Sequence, residues 1–341
     1  MVKLLQAIGG ASHGGAELFF TRLAIGLEEA GQQQIIVMRK DKERAQLLKH
    51  SGIYPVELRF GGRVDFLTQW KIKRAINSYK PDIVLSWMNR ATSKIYKGPF
   101  VHAARLGGYY NLKYYKNCDH LIGNTPPIVE YLRRSNWPVD KCHYIPNFVD
   151  HEKGTPIDRA IFNTPNGVPL IISLGRLHKN KAFDVLIKAM VELKDTFLWL
   201  AGDGEELSSL TSLAEEMGVS ERVKFLGWQR DTKNLIATCD ALICPSRHEP
   251  LGNVVLEGWA QSKPVIAAAS DGPRYLIEHG KNGLLSPVDD PISLASMIKG
   301  LLNDPKNSKA LAKSGNSIVI SNFTKSIVVS KYQNLFDEIS S

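Results

Sequence analysis

Four charged side chains in the second half of this 341-residue chain have the types and spacing to handle a phosphorylated ligand. Glu249 and Glu257 stand eight positions apart in His248-Glu249-Pro250-Leu251-Gly252-Asn253-Val254-Val255-Leu256-Glu257, a little over two turns of α-helix. If a helix begins at Gly252, Glu257 lies inside it and Glu249 just ahead of its first turn. That helix start, built from Gly252, Asn253 and Val254, offers free N–H groups and a positive dipole end suited to phosphate. The carboxylates would accept hydroxyl groups on either side, ribose at Glu257 and a donor sugar at Glu249. Pro245, Pro250 and Gly252 fix a turn and let backbone approach a ligand. Arg176 and Lys181, five apart, supply one forked and one point-like cation. Such a set can stabilise negative charge as it grows on a departing phosphate.

Other candidates are less specific. Gly14 and Gly15 precede an amphipathic stretch and suit close backbone contact with a diphosphate or acceptor, or else form a plain turn. The run Gly9-Gly10-Ala11-Ser12-His13-Gly14-Gly15 does not spell G-x-G-x-x-G, and no G-K-[ST] phosphate loop occurs. His13, His178 and His248 read as loop residues. The chain has no Asp-x-Asp and no His/Asp/Glu set with metal spacing, so chemistry without a metal or other cofactor is expected. Cys118, Cys142, Cys239 and Cys244 lack C-x-x-C spacing and read as unpaired thiols.

The elements that must position these groups alternate along the chain. Short β-branched runs (Lys3 to Ile8, Ile35 to Met38, Asp82 to Ser86, Pro99 to His102, His120 to Gly123) alternate with helical patterns such as Ala16 to Ala30 and Val64 to Tyr79. This rhythm predicts parallel sheet covered by helices. It pauses over Asp150 to Pro169, rich in Gly and Pro, where a linker is expected. It restarts with strands at Leu170 to Leu174, Phe197 to Ala201, Arg222 to Leu226, Ala241 to Cys244, Pro264 to Ala268 and Gly283 to Leu285. From Pro291 the pattern is helical, and Lys325 to Ile339 closes it with one apolar face. The expected domains are 1–150, 151–322 and a closing helix over 323–341. In open α/β sheets ligands sit beyond the carboxyl ends of strands. Gly14, Arg176, Gly202, Glu249 and Asp271 each follow a predicted strand.

Composition is that of a globular chain, 43% hydrophobic and 23% charged. No apolar run approaches the ~18 residues that span a bilayer, and Met1 to Gly10 shows no leader, so a cytoplasmic location is expected. The net charge of +9 is unevenly placed: residues 1–150 hold 22 Lys plus Arg against 12 Asp plus Glu, and the remainder 21 against 22. A basic first half permits an anionic membrane surface, a phosphorylated acceptor or nucleic acid, although no nucleic-acid motif appears. Tyr109, Tyr110, Tyr114 and Tyr115 interleave with Arg105, Lys113 and Lys116, and Trp70 accompanies Lys71, Lys73 and Arg74. These mixtures suit peripheral docking on the inner face of a membrane, an acceptor groove, or packing against the body.

The segment from Cys244-Pro245-Ser246-Arg247 through Gly258-Trp259-Ala260 resembles the donor-site signature of the family-four retaining glycosyltransferases. The resemblance extends to Leu174-Gly175-Arg176-Leu177 with Lys181, Ala201-Gly202-Asp203-Gly204, Lys263 to Ala267, Asp271-Gly272-Pro273 and Glu278 to Leu285. In the first half it rests on Gly14-Gly15-Ala16-Glu17, Cys118 to Ile122 and Ile145-Pro146-Asn147. Ala182, where glycine is frequent, and Arg274-Tyr275, in place of an acidic residue, depart from the pattern. The resemblance implies a GT-B fold of two facing Rossmann-like domains with a ligand cleft between them, an acceptor-binding first half and a final helix returning to the first domain. It implies transfer, with retention, from a nucleotide sugar, UDP-linked by preference, to a hydroxyl of a glycan or glycolipid in cell-surface polysaccharide or lipopolysaccharide biosynthesis. Arg176, Lys181 and Glu249 would be the catalytic set. His102 would face the donor sugar, as a first-domain histidine does in relatives, and Asn89 and Arg105 would meet the acceptor. An epimerase of the same architecture and a non-catalytic basic membrane- or nucleic-acid-binding protein remain alternatives.

Overall fold

The structure is a computed structural model that describes residues 2–11, 14–62 and 65–340. The chain divides into two compact units, residues 1–148 with 325–341, and residues 149–324.

The first unit contains β1 (Leu4–Ile8), α1 (Gly15–Glu29), β2 (Gln34–Arg39), α2 (Lys42–His50), β3 (Val56–Leu58), α3 (Phe66–Tyr79), β4 (Ile83–Trp87), α4 (Met88–Thr92), β5 (Val101–Leu106), β6 (His120–Gly123), α5 (Pro126–Arg134) and β7 (Cys142–Tyr144). Val64, the expected start of α3, lies outside the described residues. The sheet is parallel throughout, ordered β3-β2-β1-β4-β5-β6-β7. Its central strands are apolar runs because helices cover both faces: β1 and β4 are buried at every residue. Apolar residues of α1, Phe20, Leu23, Ala24 and Leu27, share one core with Val328, Val329, Tyr332, Leu335 and Phe336 of the closing helix at Lys325–Ser340. Each such fully buried large side chain contributes roughly 1.5–3 kcal/mol, and this core seats the last helix on the first unit.

The second unit contains β8 (Leu170–Leu174), α6 (Phe183–Ala189), β9 (Phe197–Ala201), α7 (Leu207–Glu216), β10 (Val223–Gly227), α8 (Lys233–Thr238), β11 (Ala241–Cys244), α9 (Asn253–Ala260), β12 (Val265–Ala268), α10 (Asp271–Leu276), β13 (Leu284–Ser286), α11 (Pro291–Asn303) and α12 (Pro305–Asn322), and the closing helix is α13. Its parallel sheet runs β10-β9-β8-β11-β12-β13. The stretch 150–169, expected as a linker, is a strap fastened along this unit. Lys153 Nζ donates to Ala260 O and Ser262 Oγ at 2.6 Å, Gly154 N to Gln261 Oε1 at 2.8 Å and Ile157 N to Thr238 Oγ1 at 2.9 Å. Its polar composition reflects backbone groups met by side chains rather than by a ladder.

Candidate active site

In the second sheet the chain leaves β8 toward β9 on one side and leaves β11 toward β12 on the other. The loops after these neighbouring strands therefore diverge, and the carboxyl ends of β8 and β11 flank the crevice where open α/β sheets hold ligands. Arg176 and Lys181 lie on the loop after β8, Glu249 on the loop after β11. Lys181 Nζ and Glu249 Oε2 form a direct ion pair across this switch point. Ser246 Oγ stands 3.5 Å from the same carboxylate oxygen, and Gly252 N donates to Glu249 Oε1 at 3.4 Å. Burial works against the Lys181 ammonium, but Glu249 beside it, with Cys244 and Glu257 further off, outweighs burial and raises its pKa above the ordinary lysine value. Lys181 therefore carries its full charge at neutral pH. Arg176 is exposed.

The run from Gly252 is helical as expected, and Gly252 caps α9 with φ 83°. A side chain at that left-handed position would be strained, and its Cβ would stand 3.2 Å from Leu276 Cδ1. A glycine cap also brings no side-chain oxygen to the first-turn N–H groups, which leaves that end of the helix suited to an anion. Val255, Leu256, Trp259 and Ala260 are buried, whereas Asn253, Val254 and Glu257 are half-buried on the face that α9 does not pack into the core. The Glu257 charge is one of those that favour the protonated Lys181 ammonium. Ala182 adopts φ 52° directly after Lys181, which explains the preference for glycine there: an L-residue in this conformation costs about 1–2 kcal/mol.

The first sheet has its switch point between β1 and β4, beside the glycine-rich loop and α4. Gly14 caps α1, with Gly15 its first residue; Ser12 and His13 lie outside the described residues. A Cβ on Gly14 would fall 2.3 Å from Glu17 Oε2, and Ala11 N donates to Glu17 Oε1 at 2.8 Å. The glycine is needed to admit the buried Glu17 carboxylate beneath the loop, a requirement separate from ligand approach. Asn89, half-buried on α4, accepts from Tyr115 OH at 2.9 Å. Met88 before it holds φ 63°, a strained conformation of the kind that clusters at functional sites.

Two expectations require correction. His102 is the second residue of β5, near its amino end, and is 1% exposed. Its Nε2 lies 2.8 Å from Ser86 Oγ and its Nδ1 3.2 Å from Asn117 O, so it is a satisfied core histidine with no open face for a sugar. Arg105, 2% exposed, is likewise not open to an acceptor. Its Nε donates to Tyr332 OH at 3.1 Å, its Nη2 bonds Asn147 Oδ1, and its guanidinium stacks at 4.6 and 4.8 Å from the Phe19 and Trp87 ring centres. It ties β5 to α1, β4 and α13. Among the described residues, no three His, Cys, Asp or Glu side chains converge as a metal-holding group, and the four cysteines are free and buried.

Residues 13–153 match Glycosyltransferase Family 4 and residues 155–317 match Glycosyl transferases group 1. The lipopolysaccharide core biosynthesis glycosyltransferase LpsE of Rhizobium meliloti (strain 1021) is 36% identical over 94% of this chain and 95% of its own. The chain belongs to the family-four glycosyltransferases. LpsD, a second lipopolysaccharide core biosynthesis glycosyltransferase of that organism, is 33% identical over 96% of each chain. The crystal structure of Anabaena HepE in complex with UDP and glucose superposes with a TM-score of 0.86 at 21% identity, covering 99% of this chain and 100% of that one. WaaG, a glycosyltransferase involved in lipopolysaccharide biosynthesis, does so with a TM-score of 0.74 at 16% identity over 98% and 99%. The fold is thus GT-B.

In this glycosyltransferase one arginine that spacing did not single out organises the loop carrying Glu249. Arg247 forms a forked pair with Asp184 of α6 at 2.8 and 2.7 Å, donates to Lys179 O at 2.8 Å and meets Asp289 at 2.5 Å. These bonds hold the loop after β11 against the loop after β8, and so set the two halves of the Lys181–Glu249 pair. Its partners Lys179, Asp184 and Asp289 lie 68, 63 and 42 positions away in the chain, beyond the reach of local pattern. Glu17, part of the Gly14-Gly15-Ala16-Glu17 run, was assigned no role for a similar reason, because nothing in its spacing shows a carboxylate folded under a glycine loop.

Proposed function

We propose that this glycosyltransferase moves a sugar from a nucleoside diphosphate sugar, with UDP-sugars the first to test, onto a hydroxyl of a glycan or glycolipid during lipopolysaccharide core assembly. The reading rests on the Lys181–Glu249 pair at the β8/β11 switch point, beside the open N-terminus of α9 and the exposed Arg176. The names of LpsE and LpsD, and the UDP and glucose bound to HepE, support the substrate classes. The donor phosphates would take up Lys181, Arg176 and the α9 amides, Glu257 the ribose and Glu249 the sugar hydroxyls. The bond from anomeric carbon to phosphate oxygen breaks, with its electron pair leaving on that oxygen. The acceptor oxygen bonds the anomeric carbon from the same face, and its proton passes to the departing phosphate. Retention then needs no protein nucleophile, and the fixed cations and amides supply the charge stabilisation in place of a metal or other cofactor. The test supplies the full chain with UDP-, GDP- and ADP-sugars and a truncated core acceptor, with and without EDTA. The expected product keeps the donor's anomeric configuration, forms equally in EDTA and requires acceptor. An inverted linkage, activity lost to EDTA and restored by magnesium, or donor epimerised without acceptor would each overturn its part of the reading.

The same reading places the enzyme at the cytoplasmic face of a membrane, docked on anionic lipid. No described helix is long and apolar enough to cross a membrane. In α3, however, Phe66 and Trp70 are 70% and 55% exposed beside Leu67 and the exposed Lys71, Lys73 and Arg74, and residues 66–80 contain no acid. Aromatic rings of this kind settle at headgroup depth while lysine and arginine meet anionic lipid. Cosedimentation with phosphatidylglycerol-containing vesicles is expected to fall sharply in a Phe66→Ser/Trp70→Ser variant and to be absent with pure phosphatidylcholine. Equal binding by wild type and variant would remove α3 from this role.

A further inference from the structure

A cavity of about 540 Å³ opens at the amino ends of β8, β11 and β12, the edge of the second sheet opposite the candidate active site. Its floor comes from residues just ahead of these strands, Asp240 and Lys263 among them. Its wall comes from the end of α11 and the first turns of α12, including Leu301, Leu302 and Lys309. Volumes of this order accommodate small organic ligands.

The charges lining it do not balance. Arg159 is spent on the protein: its Nη1 donates to Val168 O at 2.7 Å, its Nη2 to Thr238 O at 2.9 Å, and the guanidinium faces Asp240 at 3.6 Å. Asp240 also accepts from Leu170 N at 2.8 Å. That leaves Lys263 and Lys309 as a positive excess. Lys263 is half-buried; its backbone N–H donates to Gly258 O at 3.0 Å, but among the described residues its ammonium has no hydrogen-bond or ion-pair partner. Burial depresses its pKa, more than Cys239 and Asp240 can offset, and Arg159 adds to the depression. Lys153 stands close enough that the two ammonium groups disfavour one another. A half-buried cation among cations, against apolar leucines, is an arrangement that a bound anion stabilises.

We propose that this cavity is a second ligand site, which takes the phosphate group of a small phosphorylated molecule on Lys263 and Lys309, with the organic part against Leu301 and Leu302. It lies at the opposite ends of the strands from Lys181 and Glu249, so it would be occupied independently of the donor. The shared chemistry is a phosphate, free or esterified, and the probes separate the two.

Calorimetry is run on the full chain carrying Arg176→Ala/Lys181→Ala, which removes phosphate affinity from the other edge, with inorganic phosphate and with glucose 6-phosphate as probes. Saturable binding of glucose 6-phosphate, weakened at least tenfold by adding Lys263→Gln/Lys309→Gln, is expected. Tighter binding of the sugar phosphate than of phosphate assigns the leucine wall to the ligand's organic part, and equal affinities confine the site to the phosphate group and overturn that assignment. Because Lys309 is exposed, a Lys309→Glu variant, whose folding is checked by thermal melting, repeats the test without disturbing packing. Absence of saturable binding, or binding that the lysine variants leave unchanged, would overturn the proposal. The test does not depend on the donor reading, since no nucleotide or acceptor is used.

Discussion

Lys181→Ala is expected to lower turnover by about 10²–10³, the scale for losing one charge-stabilising group from a transition state. The loss would have two sources, because Lys181 is the ion-pair partner of Glu249 and, in the proposed reaction, also a cation for the donor. Without it the largely buried Glu249 carboxylate has lost its counter-ion and repels an incoming diphosphate. The lost pair should also cost stability, on the order of 1–3 kcal/mol, the lower part of the range for broken pairs because Lys181 is about a quarter exposed. The sources separate in the double variant Lys181→Ala/Glu249→Gln. Its melting temperature should return most of the way to that of wild type, while its turnover stays well below that of Glu249→Gln alone. If the double variant instead matched Glu249→Gln in turnover, Lys181 would be only a counter-ion. Arg176→Ala provides the complementary control: the residue is exposed, so its removal should depress turnover by a similar factor and leave melting unchanged.

The second half was legible because its determinants are local. Gly252, the helix behind it and the two glutamates fall within one segment, and β8, β9 and β11 are continuous apolar runs whose ends coincide with those expected from the sequence. Apolar runs between breakers identify strands buried on both faces, and such strands dominate both sheets. What escaped depends on partners far away in the chain. β5 was expected to stop at His102 but continues to Leu106, because Arg105 interrupts the apolar pattern and is buried by distant partners, Phe19, Trp87, Asn147 and Tyr332, the last 227 positions on. β3 and β7 are three-residue edge strands with polar members, too short to show a period. The strap over 150–169 looked like a tether for lack of an apolar pattern, yet its order comes from Gln261, Asn234 and Thr238.

The same contrast separates the two halves functionally. The positive excess of the first 150 residues is a matter of composition, and the structure divides it between different tasks. Arg105 is consumed inside the fold, whereas Lys71, Lys73 and Arg74 stand exposed beside Phe66, Leu67 and Trp70. Charge counting cannot distinguish a cation that stacks between two rings from one that faces solvent. Only the second kind is available to an anionic surface or acceptor.

Acid should expose the role that His102 does play. Burial pushes its pKa down to about 4 from 6.5, against the opposing pull of the Asn117 carbonyl and Asp119. Ser86 and Cys118 face its Nε2 at 2.8 and 3.7 Å, and its backbone N–H bonds Asp119 at 2.9 Å. The folded-state value is the lower one, so the fold favours neutral imidazole. Above pH 6.5 both folded and unfolded chains carry it neutral, and it adds no pH dependence. As pH falls from 6.5 toward 4 the unfolded chain takes up a proton that the folded one refuses, and stability drops by about 3 kcal/mol over that window. Urea unfolding from pH 7.5 to 4.5 measures this. His102→Gln keeps a polar atom near Ser86 but cannot titrate, so it should be modestly less stable at pH 7.5, show a distinctly shallower acid decline, and retain kcat/KM within a few-fold at pH 7.5. His120 and His143, whose pKa values burial also lowers, contribute equally to both proteins and cancel in the comparison. Parallel acid slopes would mean that His102 is protonated in the fold, and a collapse of kcat/KM in a stable variant would return it to the reaction.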